Sequence, residues 1–268
     1  MKKLLILAVF ILIVTGLSSC VRQVTYDDLL MQYQQDVYAR NDIYEDYIKT
    51  YNDLNQHVIP AIVKVNRTIP LSQTTSTGSG FIFHEDDENY YVITNYHVIE
   101  SNGFYATITV YDYLSQAYQA ELIVADPAYD LAILSFPKED DVLHVLVFDE
   151  DMLNYSDPVY VIGYPNGQIH GITIGKLVDI DQVDLESGGI SAIDFEIYII
   201  DAPVETGSSG SVVINEAYEI VGVIFAGNFR ENQDTSTFAF VVPTEKVFEF
   251  FELYEFLLED EVTSWKKY

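Results

Sequence analysis

A histidine, an aspartate and a serine stand in that chain order in three short segments. These are Thr94-Asn95-Tyr96-His97-Val98-Ile99, Tyr129-Asp130-Leu131-Ala132-Ile133-Leu134 and Thr206-Gly207-Ser208-Ser209-Gly210-Ser211. An unactivated hydroxyl attacks an acyl carbon poorly, so nucleophilic acyl transfer needs a base beside the serine and a third group that orients the base. His97 has the chemistry of the base, Asp130 of the orienting carboxylate and Ser209 of the nucleophile. Gly207 and Gly210 flank Ser209 and permit a tight turn that aims amide N–H groups inward. The backbone N–H groups of Gly207 and Ser209 are the candidate donors to the oxyanion that forms during attack. A lone residue of any of these types is ordinarily structural, so the weight rests on their order and setting.

The setting is rich in β-structure. Between Pro60 and Val242, short β-branched and aromatic runs alternate with turn residues, the pattern of barrels and sandwiches. Twelve runs stand out: Ile62–Val65, Gly80–Phe83, Tyr90–Asn95, Tyr105–Val110, Leu122–Ala125, Leu131–Phe136, Val159–Gly163, Ile172–Ile180, Ile193–Ile200, Ser211–Ile214, Ile220–Ala226 and Thr237–Val242. Twelve is the number that two six-stranded antiparallel barrels need. His97 follows one run, Asp130 precedes another, and Ser209 enters a third. A cleft between two barrels would then receive His97 and Asp130 from the first and Ser209 from the second. The stretch Pro137-Lys138-Glu139-Asp140-Asp141 reads as the link between halves, and Glu139–Asp157 fits no regular element.

Helices flank this core. Tyr26, Leu29, Leu30, Tyr33, Val37, Tyr44, Tyr47, Ile48, Tyr51 and Leu54 recur mostly at three- and four-residue steps, which predicts a helix from Val21 to about His57. Thr25 followed by Asp27-Asp28 suits its start, a capping hydroxyl and then negative charge at the positive end of the dipole. This helix is open to two readings, packing on the following domain or serving as a stalk or self-association element. A second helix is predicted from Thr244 to about Asp260, with Val247, Phe250, Phe251, Tyr254, Leu257 and Leu258 on its apolar face.

The first twenty residues are different. Lys2-Lys3 is followed by an apolar run from Leu4 to Val14, too short for a comfortable membrane span. Thr15-Gly16-Leu17-Ser18-Ser19-Cys20 then fits a secretory signal with small residues before its cleavage site. Leu17-Ser18-Ser19-Cys20 resembles a bacterial lipobox, a likeness that implies cleavage before Cys20 and its lipidation. Cys20 is the single cysteine among 268 residues, so no intramolecular disulfide forms. The formal net charge of −29 argues against binding a nucleic-acid backbone and against electrostatic adsorption to anionic lipid. His57, His84, His144 and His170 show no metal-ligand spacing. Ser187-Gly188-Gly189 reads as a strand connection, because no helix start or lysine follows it.

Together the motifs resemble trypsin-like serine proteases of the chymotrypsin fold, across most of residues 60–245. The order His, Asp, Ser is that fold's order. Within it the sequence is most similar to bacterial HtrA/Deg proteases and to glutamyl endopeptidases. Gly78-Ser79-Gly80-Phe81-Ile82, Thr94-Asn95-Tyr96-His97-Val98 and Asp126-Pro127-Ala128-Tyr129-Asp130-Leu131-Ala132 resemble HtrA elements. So do Ile162-Gly163-Tyr164-Pro165 and Phe238-Ala239-Phe240-Val241-Val242-Pro243, whereas Gly210-Ser211 is more like the glutamyl enzymes. HtrA proteins usually carry a C-terminal PDZ domain, and none is expected within these 268 residues. Around the nucleophile it has Ser208, Ser211 and Val212 where the family has Asn, Gly and Pro. An aspartate just before the nucleophile serves zymogen activation in trypsins, and Ser208 in that place implies no such activation.

The resemblance implies an all-β core of two six-stranded barrels with terminal helices. The expected organisation is a lipoprotein signal at 1–19, a helical segment at 20–57, a protease domain at 58–243 with barrels at about 58–140 and 141–243, and a helix in 244–268. It implies a serine endopeptidase with His97, Asp130 and Ser209 as triad and polypeptides as substrates. It further implies a primary pocket with Pro203, Val204 and Glu205 at its base and Phe225, Ala226 and Gly227 along a wall. No basic side chain or histidine lies in those stretches, so a medium-sized apolar preference is expected, although an inward Glu205 would favour Lys or Arg. No metal, organic cofactor or nucleic-acid partner is implied. The membrane is met through lipidated Cys20 on the extracytoplasmic face of a bacterial cell, and self-association is left open. The competing reading is a catalytically silent module that binds through the same barrels.

Overall fold

The computed structural model describes residues 25–139, 143–168, 171–182, 193–229 and 233–254. Cys20 and its leader, the Ser187-Gly188-Gly189 loop, and the final residues of the expected C-terminal helix lie outside the described residues. By its internal contacts the chain divides into a unit ending at Asn52 and a unit beginning at Asp53.

Helix α1 spans Tyr26–His57. Val21, where the sequence reading began the helix, lies outside the described residues, and the cap at Thr25 is the one read from the sequence. The Asp28 amide donates to Thr25 Oγ1 at 3.2 Å, and the Thr25 amide donates back to Asp28 Oδ2 at 3.0 Å. This reciprocal pair satisfies two N–H groups that the first turn leaves without helical partners. The Thr25 amide and then its hydroxyl hold the Asp28 carboxyl below the usual carboxylate range. Tyr33, Tyr44 and Tyr47 of this helix are exposed, and burial begins at Leu54 and Val58. No helix among the described residues is long and apolar enough to cross a membrane.

The first barrel contains β1 (Ile62–Ile69), β2 (Thr74–Glu85), β3 (Asn89–Thr94), β4 (Thr107–Tyr111), β5 (Ala117–Asp126) and β6 (Leu131–Pro137). The second contains β7 (Pro158–Gly163), β8 (Gly171–Asp181), β9 (Ile197–Ile200), β10 (Val212–Ile214), β11 (Ile220–Gly227) and β12 (Ala239–Pro243). The first closes in the order β1-β2-β3-β6-β5-β4, and the second in the order β10-β11-β12-β9-β8-β7. Read from β7, the second is β7-β8-β9-β12-β11-β10. That is the first order with six added to every strand number, a duplication that no sequence repeat betrays. Closure leaves no open sheet edge on either barrel.

All twelve expected runs are strands, with differences at their ends. Strand β2 begins at Thr74, six residues before the run Gly80–Phe83. Its leading residues are polar and gain nothing by burial. They pair with β1 in register, Thr68 opposite Thr75 with their hydroxyls 3.3 Å apart, and Thr77 Oγ1 donates to Asn66 Oδ1 at 3.0 Å. Strands β6 and β11 read as predominantly apolar runs, broken in β6 only by Ser135, because Leu131–Phe136 and Ile220–Phe225 are buried throughout. Strand β3 leads directly into a one-turn helix, α2 (Tyr96–Ile99).

The link between barrels is longer than the stretch 137–141 suggested. Pro137 still belongs to β6, and β7 starts only at Pro158. Along the way Leu146 N–H donates to Ile82 O at 3.0 Å and Asp149 N–H to Ile220 O at 2.9 Å, so this irregular stretch touches both barrels. The closing helix α3 (Thr244–Leu253) buries Val247, Phe250 and Phe251. Phe251 stacks on Phe83 of β2 with ring centroids 5.2 Å apart. A helix that follows the second barrel therefore packs on the first.

Candidate functional site

His97 and Asp130 are brought together by backbone geometry at the ends of β3 and β6. Asp130 immediately precedes β6 and holds a left-handed φ of 51°. Its short polar side chain tolerates that region better than most. Its carbonyl accepts from the Asn95 side-chain amide at 2.9 Å and from Tyr96 N–H at 3.2 Å. Its carboxylate then meets the first turn of α2. Oδ1 accepts from His97 N–H at 3.0 Å, and Oδ2 lies 2.7 Å from His97 Nδ1. A carboxylate only accepts, so the imidazole proton sits on Nδ1 and the Nε2 lone pair is left for another donor. Asp130 is wholly buried, while the His97 side chain keeps 25% of its surface exposed.

Every residue of the Thr94–Val98 segment has a task here. Thr94 Oγ1 donates to Ser79 O at 2.7 Å. Asn95 and Tyr96 hold the Asp130 carbonyl, and the His97 amide holds its carboxylate. The Val98 methyls lie against Gly78, where a Cβ would come within 2.6 Å.

Ser209 lies on the connection from β9 to β10 and belongs to the second barrel. The turn carrying it crosses to the first barrel. Ser79 N–H donates to Ser209 O at 2.7 Å. Gly210, with φ of 84°, lies so close to β2 that a Cβ would collide with the Ser79 carbonyl oxygen. Glycine at 210 is thus required twice, by conformation and by space. Gly78 sits between Val98 and the Ser209 carbonyl, so the segments bearing His97 and Ser209 meet across the barrel junction.

The peptide planes of the turn are set by carbonyl partners. Thr206 O accepts from Asn166 N–H at 2.6 Å, and Ser208 O accepts from Ser211 N–H at 2.9 Å. In a planar trans peptide the N–H points opposite to the C=O. The N–H groups of Gly207 and Ser209 are therefore turned away from those partners, and neither donates to an acceptor among the described residues. Two unspent amide donors beside a hydroxyl are what a tetrahedral oxyanion requires.

The departures around Ser209 are accommodated. Ser208 N–H donates to Glu205 O at 3.0 Å, and Ser208 Oγ accepts from Glu205 N–H at 3.2 Å, which closes a small reciprocal ring. Ser211 has room for its hydroxyl because residue 163 is glycine, where a Cβ would strike it.

Ser79 is a site residue that the sequence reading quoted only within a motif. It is wholly buried. Its hydroxyl donates to Gly207 O and accepts from Tyr164 N–H, each at 2.8 Å. One first-barrel residue so holds the Gly207 and Ser209 carbonyls and the start of the 164–168 loop. Ser79→Ala leaves the Tyr164 N–H and the Gly207 carbonyl buried without this partner, at a cost of about 2–3 kcal/mol. Chemical denaturation should show a lower midpoint at unchanged m-value, and an unchanged midpoint would refute the bridge.

The residues expected to enclose a substrate side chain are placed less simply. Pro203, Val204 and Glu205 line a cavity of about 140 Å³ together with Ser208 and Ser211. Its walls include neither Ser209 nor Phe225, Ala226 and Gly227. The two groups touch instead. A Cβ at Gly227 would sit 2.9 Å from Val204 Cγ2, so Val204 fills the space between them. Phe225 is buried at a bulge in β11 and packs on Phe240. Glu205 is engaged at both oxygens, accepting from Asn166 Nδ2 at 2.6 Å and Thr235 Oγ1 at 3.2 Å. The sequence reading assigned no role to Asn166. Its signal was the Asn166-Gly167 pair, a turn former that said nothing of what the turn would touch.

Comparison with known proteins shows a family and a fold. Residues 78–223 match the family model described as "Trypsin-like peptidase domain". A Chlamydia trachomatis protein named "Probable periplasmic serine endoprotease DegP-like" is 33% identical over 156 residues, 58% of this chain and 29% of that protein. The "Serine protease Do-like HtrB" of Bacillus subtilis is 33% identical over 152 residues, 54% of this chain and 31% of that one. The chain thus spans about a third of the length of these relatives. Among solved structures, the active form of the Rv3671c protease from M. tuberculosis superposes with a TM-score of 0.60 at 26% identity, covering 72% of this chain and 80% of the other. The HtrA-type protease AlgW with a tripeptide shares the fold, with a TM-score of 0.63 at 23% identity over 76% of this chain and 63% of that one.

Proposed function

Because the chain belongs to the trypsin-like peptidase family, we propose that it is a serine endopeptidase with Ser209 as nucleophile, His97 as base and Asp130 as orienting group. The observation that carries this reading is the 2.7 Å contact of His97 Nδ1 with buried Asp130, met across the barrel junction by the Ser209 turn. In the first half-reaction His97 Nε2 takes the Ser209 hydroxyl proton while Oγ bonds to the peptide carbonyl carbon. The carbonyl oxygen becomes an anion held by the N–H groups of Gly207 and Ser209. The C–N bond then breaks, and His97 returns its proton to the leaving amine. Water, deprotonated by His97, next cleaves the Ser209 ester and restores the hydroxyl.

The test is covalent labelling by a fluorophosphonate, in which Ser209 Oγ bonds to phosphorus and fluoride departs. Peptide mapping should place the adduct on Ser209 alone. A folded protein that takes no label would refute the reading and leave the paired barrels as a binding module.

The preceding segment suits an anchor. Residues 1–19 are read as a lipoprotein signal and Cys20 as the lipidated residue, which tethers the peptidase to the outer face of the cytoplasmic membrane. Two acyl chains hold firmly where one is marginal. Cys20→Ser should abolish palmitate incorporation and move the protein from the membrane to the soluble fraction. Membrane retention without label in both forms would overturn lipidation.

A further inference from the structure

Catalysis in this site depends on which way one peptide points. The Thr206–Gly207 unit presents the Gly207 N–H on the side away from Asn166. Rotated by half a turn, it would put the Thr206 carbonyl where that donor now lies. One oxyanion donor would be lost and replaced by a lone pair. Gly207, with φ of 90°, offers little steric resistance to such a rotation. Something outside the turn must therefore select the orientation.

We propose that Asn166 is the positioning residue of the oxyanion hole, acting as a clamp on Glu205 and Thr206 together; the proposal rests on the peptidase reading above. Asn166 and Gly167 both have left-handed backbones, at φ of 52° and 69°. With Pro165 O accepting from Gln168 N–H at 2.9 Å, they are the central pair of a type I′ turn. The turn lies flat against Gly207, where a Cβ would come within 2.9 Å of Tyr164 O and 3.2 Å of Asn166 N. From there Asn166 makes two bonds to adjacent residues. Its backbone N–H donates to Thr206 O at 2.6 Å, and its side-chain Nδ2 donates to Glu205 Oε2 at 2.6 Å.

The second bond makes the first dependable. Glu205 is also tied to Thr235, through Oε1 at 3.2 Å and through a backbone bridge. The carboxylate thus joins the 164–168 turn to the strand-like segment at Thr235 and fixes the distance between Asn166 and the Thr206 carbonyl. Hydrogen bonds to a charged group are stronger than neutral ones. A free asparagine turn would drift, and the Thr206 peptide would sample both orientations. Only the fraction with the N–H inward would turn over substrate.

The experiment compares kcat, KM and inhibitor affinity in the unaltered full chain and in four variants of it. Asn166→Gly keeps the left-handed backbone and the N–H but removes the side-chain bond. Its kcat on a short peptide ester should fall about tenfold to a hundredfold with KM within about twofold, since one charge-assisted hydrogen bond is at stake. A peptide aldehyde, whose adduct places an oxyanion in the same hole, should weaken by the same factor, and a product peptide should bind unchanged. Glu205→Ala should match Asn166→Gly, and the double variant should be no worse than either. Glu205→Gln keeps an acceptor and should recover most of the activity.

An unchanged kcat in Asn166→Gly, a loss confined to KM, or additive losses in the double variant would each overturn the clamp. Those results require that the unaltered protein takes a fluorophosphonate at Ser209. Failure of that labelling overturns the peptidase reading and the clamp with it, so the two failures are told apart in one series.

Discussion

Ser209→Ala should lower kcat for peptide hydrolysis by about 10⁶-fold while leaving about 10³-fold acceleration over water. The size of the loss follows from removing the one atom that forms the acyl bond. The residue follows from what stays. The amide N–H groups at 207 and 209 belong to the backbone, and their peptide planes are held by Asn166 and Ser211, neither of which hydrogen-bonds the serine hydroxyl. The Ser209 hydroxyl has no hydrogen bond among the described residues, and the side chain is only partly buried. Its removal therefore costs the fold little, and melting should shift by no more than about 1–2 °C, as for a surface substitution. Turnover measured on a chromogenic peptide amide decides the matter. Retained hydrolysis at more than about a hundredth of the original rate would assign the nucleophile elsewhere.

Asp130→Asn should cost about 10⁴-fold in kcat, again with little change in stability. Asparagine keeps the shape and also tolerates the left-handed backbone at 130, so the carbonyl bonds from Asn95 and Tyr96 survive. The fault is one of proton placement. Where the carboxylate accepts at both oxygens, an amide accepts at one and donates at the other. If its oxygen keeps the His97 N–H, its NH₂ faces Nδ1 and drives the imidazole proton to Nε2. The base then has no lone pair toward Ser209. Steady-state kinetics with unchanged KM and a greatly reduced kcat is the expected result. A loss below about tenfold would mean that Asp130 serves the fold and not the proton transfer.

The two barrels were legible because burial writes itself into hydrophobic periodicity. Leu131–Phe136 is apolar but for Ser135, Ile220–Phe225 carries no polar side chain, and both prove buried throughout. Boundaries were less legible where pairing is polar. Thr74–Thr77 extend β2 through register with β1, and no hydrophobic signal announces that. The long link from Lys138 to Asp157 resisted assignment because its backbone partners, Ile82 and Ile220, are distant in sequence.

By itself, the sequence determined the chemistry available: the candidate base, carboxylate and hydroxyl, their chain order, and the glycines at 207 and 210. It also determined the cap of α1, because Thr25 and Asp28 are three residues apart and their bonds are local. Only the tertiary structure decided which carbonyl each turn amide would meet. Ser79 is 128 residues from Gly207, and its hydroxyl fixes that carbonyl. Asn166 lies 39 residues from Glu205, and its side-chain amide meets that carboxylate where Glu205 lines the cavity. Such contacts depend on how two closed barrels face one another, and no periodicity within a strand encodes that meeting.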